Sequence, residues 1–348
     1  MKMSIDFRSD TVTLPTQEMM NAIANAELGD DVYGDDISTV RLERYAAELL
    51  GKEDGLLVSS GTMGNLIAVL TFTQHRRSEI IAEVNSHIVD YEGGNVSHFG
   101  GVSVRAVESP AGVITPEQID AAMRDANNLH HPVTSLICLE NTHANYGGLV
   151  VGLKDVARIR QAADRHALPI HLDGARIFNA AVALGVPVAK MAEGCDSVQC
   201  CLSKGLSAPV GSVLVGSRDF IREARHYRKM LGGGMRQCGI IAAAGMVALK
   251  TMVQRLEEDH AHAKHLAEGL KAIPGLSVDV AGVQTNIVRV ETHNSGLSAK
   301  ELVALLEQRG VRCLARGPHT LRFILHRHIS LQDVRSALQV LEQTVSGR

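Results

Sequence analysis

Four short clusters in this 348-residue chain combine residue types able to do chemistry. Ser59-Ser-Gly-Thr-Met-Gly-Asn65 joins an apolar run to a helix-like stretch, where small residues let backbone N–H groups close on an anion and Thr62 adds a hydroxyl. It is not a P-loop, because no lysine follows the glycines. His171-Leu-Asp-Gly-Ala-Arg176 ends a second apolar run, and Asp173 there can be a metal ligand, a carboxylate orienting a protonated ring nitrogen, or a helix cap. Cys200-Cys-Leu-Ser-Lys-Gly-Leu-Ser207 places Lys204 after an apolar run among small residues, a setting for a Schiff-base amine as well as for a solvated charge. Lys229-Met-Leu-Gly-Gly-Gly-Met-Arg236 delivers Arg236 from a glycine turn, suited to a two-bonded phosphate contact. Together the clusters supply an anion cup, an acid for a pyridine nitrogen, an amine for an aldehyde and a cation, which are the parts of a pyridoxal-phosphate site.

These residues need a scaffold that brings strand ends together. Apolar runs at 55–58, 79–82, 102–107, 136–139, 168–172, 197–201 and 211–215 alternate with helix-like stretches such as 64–73 and 153–166, and each reads as a short buried strand. The pattern predicts an α/β fold with a mainly parallel seven-stranded sheet flanked by helices, whose ligands sit at the carboxyl ends of the strands. After residue 239 a long helical stretch reaches about residue 270. A strand at 285–290, a capped helix at 298–309, a strand at 320–325 and a helix at 331–345 then describe a smaller α+β domain. The expected division is an N-terminal segment 1–18, a large domain 19–248 and a small domain 249–348.

Composition narrows the function classes. The chain carries 35 basic and 38 acidic residues, a near-neutral balance that argues against a nucleic-acid or polybasic membrane surface. It has no Trp, 5 Tyr and 6 Phe, but 16 His, so stacking on bases or sugars is disfavoured and acid–base or metal chemistry is the first thought. His260, His262 and His265 fall on a presumed helix at spacings that do not share a face, and read as a solvated surface. His87, His130, His131 and His143 border strands and can contribute acid–base groups. Six scattered cysteines without a Cys-x2-Cys pair, and a charged beginning without an apolar leader, predict buried thiols in a cytoplasmic protein. The longest apolar run, 238–249, is too short to span a bilayer.

Read in order, the motifs resemble those of the low-specificity L-threonine aldolase family, pyridoxal-phosphate enzymes of the aspartate-aminotransferase fold type. The marks are Asp6-Phe-Arg-Ser-Asp-Thr-Val-Thr13, Gly29-Asp-Asp-Val-Tyr-Gly-Asp-Asp36, Ser60-Gly-Thr62, Glu140-Asn-Thr-His143, His171-Leu-Asp-Gly-Ala-Arg-Ile-Phe-Asn179, Cys201-Leu-Ser-Lys-Gly205 and Arg228-Lys-Met-Leu-Gly-Gly-Gly-Met-Arg-Gln237. The resemblance implies that Lys204 holds the cofactor aldehyde and Asp173 the pyridine nitrogen. Gly61, Thr62 and Ser203 would cradle the phosphate, with Arg236 arriving from a neighbouring subunit. His87 would cover the ring. Ser9, Arg176 and Arg322 would bind the substrate carboxylate, Arg176 contacting the cofactor too. Tyr33 would complete a neighbour's site, and His130 would lie near the β-hydroxyl. The implied reaction is retro-aldol cleavage of threonine, allo-threonine and related β-hydroxy-α-amino acids to glycine and an aldehyde, without a metal, in a homo-oligomer, a tetramer of paired dimers. A related β-eliminating, racemising or phenylserine-cleaving enzyme is the alternative on the same scaffold. A non-catalytic ligand-binding protein and a histidine-rich metalloenzyme are the alternatives outside it. One departure stands out. After His143 the chain reads Ala-Asn-Tyr-Gly-Gly148, where many bacterial members run straight to Asn-Gly, so side-chain preference hinges on this loop.

Overall fold

The computed structural model describes residues 4–74, 76–110 and 112–346; the outermost residues of the expected N-terminal segment and small domain, 1–3 and 347–348, lie outside them. Twelve strands are formed among the described residues: β1 (Ile5–Asp6), β2 (Asp54–Val58), β3 (Ser78–Glu83), β4 (Ser103–Val107), β5 (Val133–Glu140), β6 (Ile170–Asp173), β7 (Ser197–Cys201), β8 (Ser212–Gly216), β9 (Ile287–Glu291), β10 (Val311–Arg312), β11 (Leu314–Ala315) and β12 (Thr320–Ile324). Seven of them make one sheet in the order β2-β8-β7-β6-β5-β3-β4. The β7-β6-β5-β3-β4 pairs are parallel, and β8 pairs antiparallel with both β2 and β7. All residues of β3, β6, β7 and β8 are buried, as expected of strands covered on both faces.

Two expectations are corrected. The run at 102–107 is a strand but not a buried one: β4 pairs only with β3 at the sheet edge, and its residues are half-buried or exposed. The long helical stretch is two helices, Gly239–Thr251 and Leu256–Lys271, bent by 68° between them. The bend separates two cores. Met252 and Leu256 pack in the core around the large sheet, whereas Ala263 to Leu270 pack with β9 and β12. Among the described residues no single helix is long and apolar enough to cross a membrane.

The N-terminal segment belongs spatially to the second core. β1 pairs in parallel with β10, and Phe7 packs edge-on against Phe323 with ring centroids 5.5 Å apart. This pins residues 8–13 across the carboxyl edge of the large sheet. There the Thr13 hydroxyl donates to the Lys204 carbonyl at 2.9 Å.

Candidate active site

The carboxyl edge of the parallel strands gathers the expected residues. Register places Glu140 opposite Asp173 and Asp173 opposite Gln199, so β5 and β6 end level with one another and β7 runs on to Cys201. Lys204 follows β7 in a turn closed by the Ser207 N–H on the Lys204 carbonyl at 2.9 Å, and Ser207 holds a left-handed φ of 64° although it is not glycine. Such a conformation persists only where the surroundings hold it, and Ser207 is fully buried.

A cavity of about 150 Å³ is lined by Ser9, His87, Arg176, Lys204 and Arg322, five of the expected site residues. Thr11, Tyr91, Glu140, Ala144, Asn145 and Arg316 complete its wall. Arg322 is buried on β12, its Nε has no hydrogen-bond partner, and one Nη reaches only the Arg8 carbonyl at 3.4 Å. Burial, then the neighbouring Arg316 and Arg176, push its pKa down to about 9. An unpaired buried guanidinium of this kind is a strong demand for an anion. Arg176 differs. Its Nε and Nη2 donate to Asp10 at 2.8 and 2.6 Å, so most of its charge is already answered. Burial would raise the Asp10 carboxyl, but Arg176, followed by Lys204 and Asn286, holds it down to about 2.

Asp173 sits behind the cavity, buried, with three polar neighbours ordering it. One carboxylate oxygen accepts from Gln199 Nε2 at 2.9 Å and from the Ala175 N–H at 3.0 Å, and the other accepts from Asn65 Nδ2 at 2.8 Å. Burial alone would raise its pKa. His87 and Lys204 nearby, with these N–H donors, lower it instead, so the carboxylate stays ionised. Asn65 also donates to Glu92 at 2.7 Å, and its own oxygen lies 3.0 Å from His171 Nε2. Burial drives His171 down to about 4, so it is neutral, and Ser197 lies 2.8 Å from its Nδ1. His171 therefore donates through Nε2 to the Asn65 oxygen, which aims the Asn65 amide at the two carboxylates.

His87 opens a short helical turn. Its backbone N–H is held by Glu140 at 2.7 Å and its Nδ1 lies 2.8 Å from Glu92. Burial lowers its pKa, but the Glu92 bond and Asp173 outweigh burial, and the net shift is upward. The ligand atoms of His87, Glu92 and Asp173 lie within 4.8 Å of one another, a proximity already explained by the Asn65 bridge and the His87–Glu92 bond.

Ser60 caps the helix Gly61–Phe72 by accepting the Met63 N–H at 3.2 Å, and the N–H groups of Gly61 and Thr62, in the first turn, have no helical partner. A Cβ on Gly61 would lie 2.9 Å from Cys201 Sγ and 3.0 Å from Gln199 Nε2, so the helix start can approach β7 only as glycine. Ser203 adjoins Lys204 at the end of β7.

Three expected residues lie elsewhere in this chain. Tyr33 is 77% exposed, and Arg236, also exposed, pairs with Asp30 at 3.0 Å on the same surface strip. His130 is exposed in the turn before β5, at the amino edge of the sheet, whereas the cavity lies at the carboxyl edge. Sequence reasoning missed Asp10, Asn65, Glu92 and Arg316. Asp10 and Asn65 stood within quoted motifs and Glu92 five residues after His87, but nothing local marked their partners. Two of the three helix histidines are not on a solvated surface: His260 is driven to about 4 by burial and lies 3.1 Å from Asn179, and His262 donates to the Ile329 carbonyl at 3.0 Å, whereas His265 is exposed as expected.

The profile of the beta-eliminating lyase family matches residues 6–293. Low-specificity L-threonine aldolase 1 of Arabidopsis thaliana is 46% identical over 345 residues, spanning 98% of this chain and 96% of its own. The low specificity L-threonine aldolase of Escherichia coli K12 is 38% identical over 330 residues, spanning 95% and 96%. The structure of Leishmania major threonine aldolase superposes with a TM-score of 0.83 over 98% of this chain and 99% of its own, at 21% identity, a likeness of fold. Full-length identity of this order, carried on a sheet edge that gathers a strand-end lysine with an ionised aspartate, places the chain in the beta-eliminating lyase family, among the low-specificity L-threonine aldolases.

Proposed function

We propose that this chain is a pyridoxal-phosphate-dependent aldehyde-lyase that cleaves L-threonine, L-allo-threonine and related β-hydroxy-α-amino acids to glycine and an aldehyde. The observation that carries the reading is the convergence of Lys204, His87 and the unpaired Arg322 on one cavity, with ionised Asp173 directly behind it.

The residues fit the cofactor. Asp173, kept anionic by fixed donors, is matched to a protonated pyridine nitrogen. Gly61 leaves room that any side chain would fill, beside free N–H groups suited to a phosphate together with Thr62 and Ser203. When bound, pyridoxal phosphate supplies an aldehyde for amines and an electron sink conjugated to Cα.

The chain's own groups do the rest. Lys204, on the cavity wall, would supply the amine that holds the cofactor aldehyde and would also be placed to move a proton at Cα. Arg322, with Ser9 and the remaining face of Arg176, holds the α-carboxylate, which fixes the orientation of the Cα–Cβ bond. His87, donating from Nδ1 to Glu92, keeps Nε2 available to take the β-hydroxyl proton, directly or through a water. With threonine the products are glycine and acetaldehyde.

Tyr33 and Arg236 share an exposed strip with Val32 and Ile37, which supports their serving a neighbouring subunit in a homo-oligomer, a homotetramer in our reading. His130 then acts near the β-hydroxyl only if a neighbouring subunit presents it. Six buried free thiols support a reducing, cytoplasmic location. The test is acetaldehyde release from the threonine isomers, read beside the cofactor absorbance. Lys204→Ala is expected to abolish both turnover and the absorbance of covalently held cofactor. Threonine cleavage by that variant at the wild-type rate overturns the assignment.

A further inference from the structure

A second cavity of about 310 Å³ adjoins the first and shares Tyr91, Ala144, Asn145, Arg316 and Arg322 with it. It opens on the side of the loop Ala144–Gly148, the segment in which the sequence departs from its resemblance. The loop is pinned: Asn145 donates to the Asn85 carbonyl at 2.7 Å and accepts from Arg289 at 2.9 Å, and Gly147 and Gly148 both hold left-handed φ. This cavity is therefore a built space continuous with the amino-acid site.

Its charge is lopsided. Arg289, Arg316 and Arg322 line it against a single carboxylate, Asp90. Arg289 is partly answered by Glu291 at 3.7 Å. Arg322 is matched to the α-carboxylate that any amino acid brings. Arg316 is left over. Among the described residues no carboxylate lies within 4.0 Å of its guanidinium, which instead lies over the Tyr91 ring, 5.2 Å from the centroid, and donates to the Tyr91 hydroxyl at 3.1 Å. That stacking holds a planar donor group at the junction of the two cavities, both of which Arg316 shares with Arg322.

We propose that the second cavity receives the Cβ substituent, that the substrate class extends to β-hydroxy-α-amino acids carrying a carboxylate on Cβ, and that Arg316 determines this preference. The inference rests on the retro-aldol reading above. With 3-hydroxyaspartate the reaction balances without an oxidant. The β-hydroxyl loses its proton, the Cα–Cβ bond breaks with its electron pair remaining on Cα, and Cα gains a proton, giving glycine and glyoxylate. The second carboxylate meets Arg316 and relieves the crowding of like charges that Arg316 imposes on Arg322.

Two measurements on the holoenzyme test this. In the first, L-aspartate and L-alanine, which lack the β-hydroxyl, are titrated against the cofactor absorbance. Aspartate is expected to bind about tenfold tighter or more in the wild type, the gain of one charge-assisted contact, and to lose that advantage in Arg316→Gln while Arg316→Lys keeps part of it. In the second, kcat/KM is compared for 3-hydroxyaspartate and threonine, and their ratio is expected to fall about tenfold in Arg316→Gln. Equal binding of aspartate and alanine by the wild type overturns the proposal even if Arg316 variants fail to fold. So does an unchanged ratio, which would make Arg316 a second clamp on the α-carboxylate. Failure to cleave threonine would instead strike the underlying reaction assignment.

Discussion

His87 Nδ1 lies 2.8 Å from Glu92 Oε1, with the Glu92 side chain withdrawn from solvent and the imidazole still 36% exposed toward the cavity. A buried carboxylate on one ring nitrogen fixes the tautomer and directs the other nitrogen outward. Glu92 is itself disfavoured as an anion by burial and by Asp173, against the pull of His87 and Asn65, and its pKa is raised. The two residues thus behave as one acid–base unit.

The first prediction follows from that pair. Glu92→Gln keeps a hydrogen-bonding oxygen but removes the charge that raises the His87 pKa. His87 acts as a base only when neutral, above its pKa, so the acid limb of the kcat/KM profile with threonine is expected to move to lower pH. Loss of one charge-assisted bond also predicts a drop of about tenfold at the plateau. A pH–rate series checks both. A purely structural defect would lower the plateau without moving the limb.

Asn65 is the second target. It keeps Glu92 and Asp173 apart by donating one N–H to each. In Asn65→Ala the two carboxylates face one another and His171 loses its acceptor, which predicts a loss of about 1–3 kcal/mol in stability. Glu92 is then expected to take up a proton and Asp173 to hold the pyridine nitrogen less well. Cofactor dissociation measured beside urea unfolding separates the two effects, and unchanged cofactor affinity would remove Asn65 from the site.

Asp10 and Arg176 form a buried pair with two short bonds. Breaking it by Asp10→Asn leaves a buried guanidinium half-answered and is expected to cost about 3–5 kcal/mol. The Asp10 pKa is lowered to about 2 from an ordinary value near 3.8. Its contribution is therefore complete above about pH 4 and lost as pH falls toward 2. Acid unfolding followed at graded pH should show a shallower dependence in this range for Asp10→Asn than for the wild type. The same variant is expected to raise KM for threonine, because the freed Arg176 no longer presents one fixed face to the α-carboxylate.

Much of the site could be read before any coordinates. Asp173 and Lys204 each close a continuous apolar run, and a strand that is buried on both faces must end its chemistry at the sheet edge. The capped glycine start of the helix was legible for the same reason, because Ser60-Gly-Thr62 is a local strand-to-helix signal. The break at 252–255 was not legible. Residues 252–255 hold no glycine or proline to mark a break, and only the packing of the two helices into different cores separates them. Nor was the exposure of β4, since an edge position is a property of the sheet and not of the strand.

The sequence by itself determined the strand-end lysine and aspartate, the glycine helix start, the order of elements and the family they match, because each depends on residues near one another in the chain. Tertiary structure alone decided that Arg176 spends its charge on Asp10, that Asn65 bridges Asp173 and Glu92, that His130 sits at the opposite sheet edge, and that Arg316 lines the cavity without a carboxylate partner among the described residues. Those pairings join segments as far apart as 166 residues, and burial makes them selective. Away from water a charge or amide is stable only where a specific partner meets it, and no local pattern of residues states which partner that is.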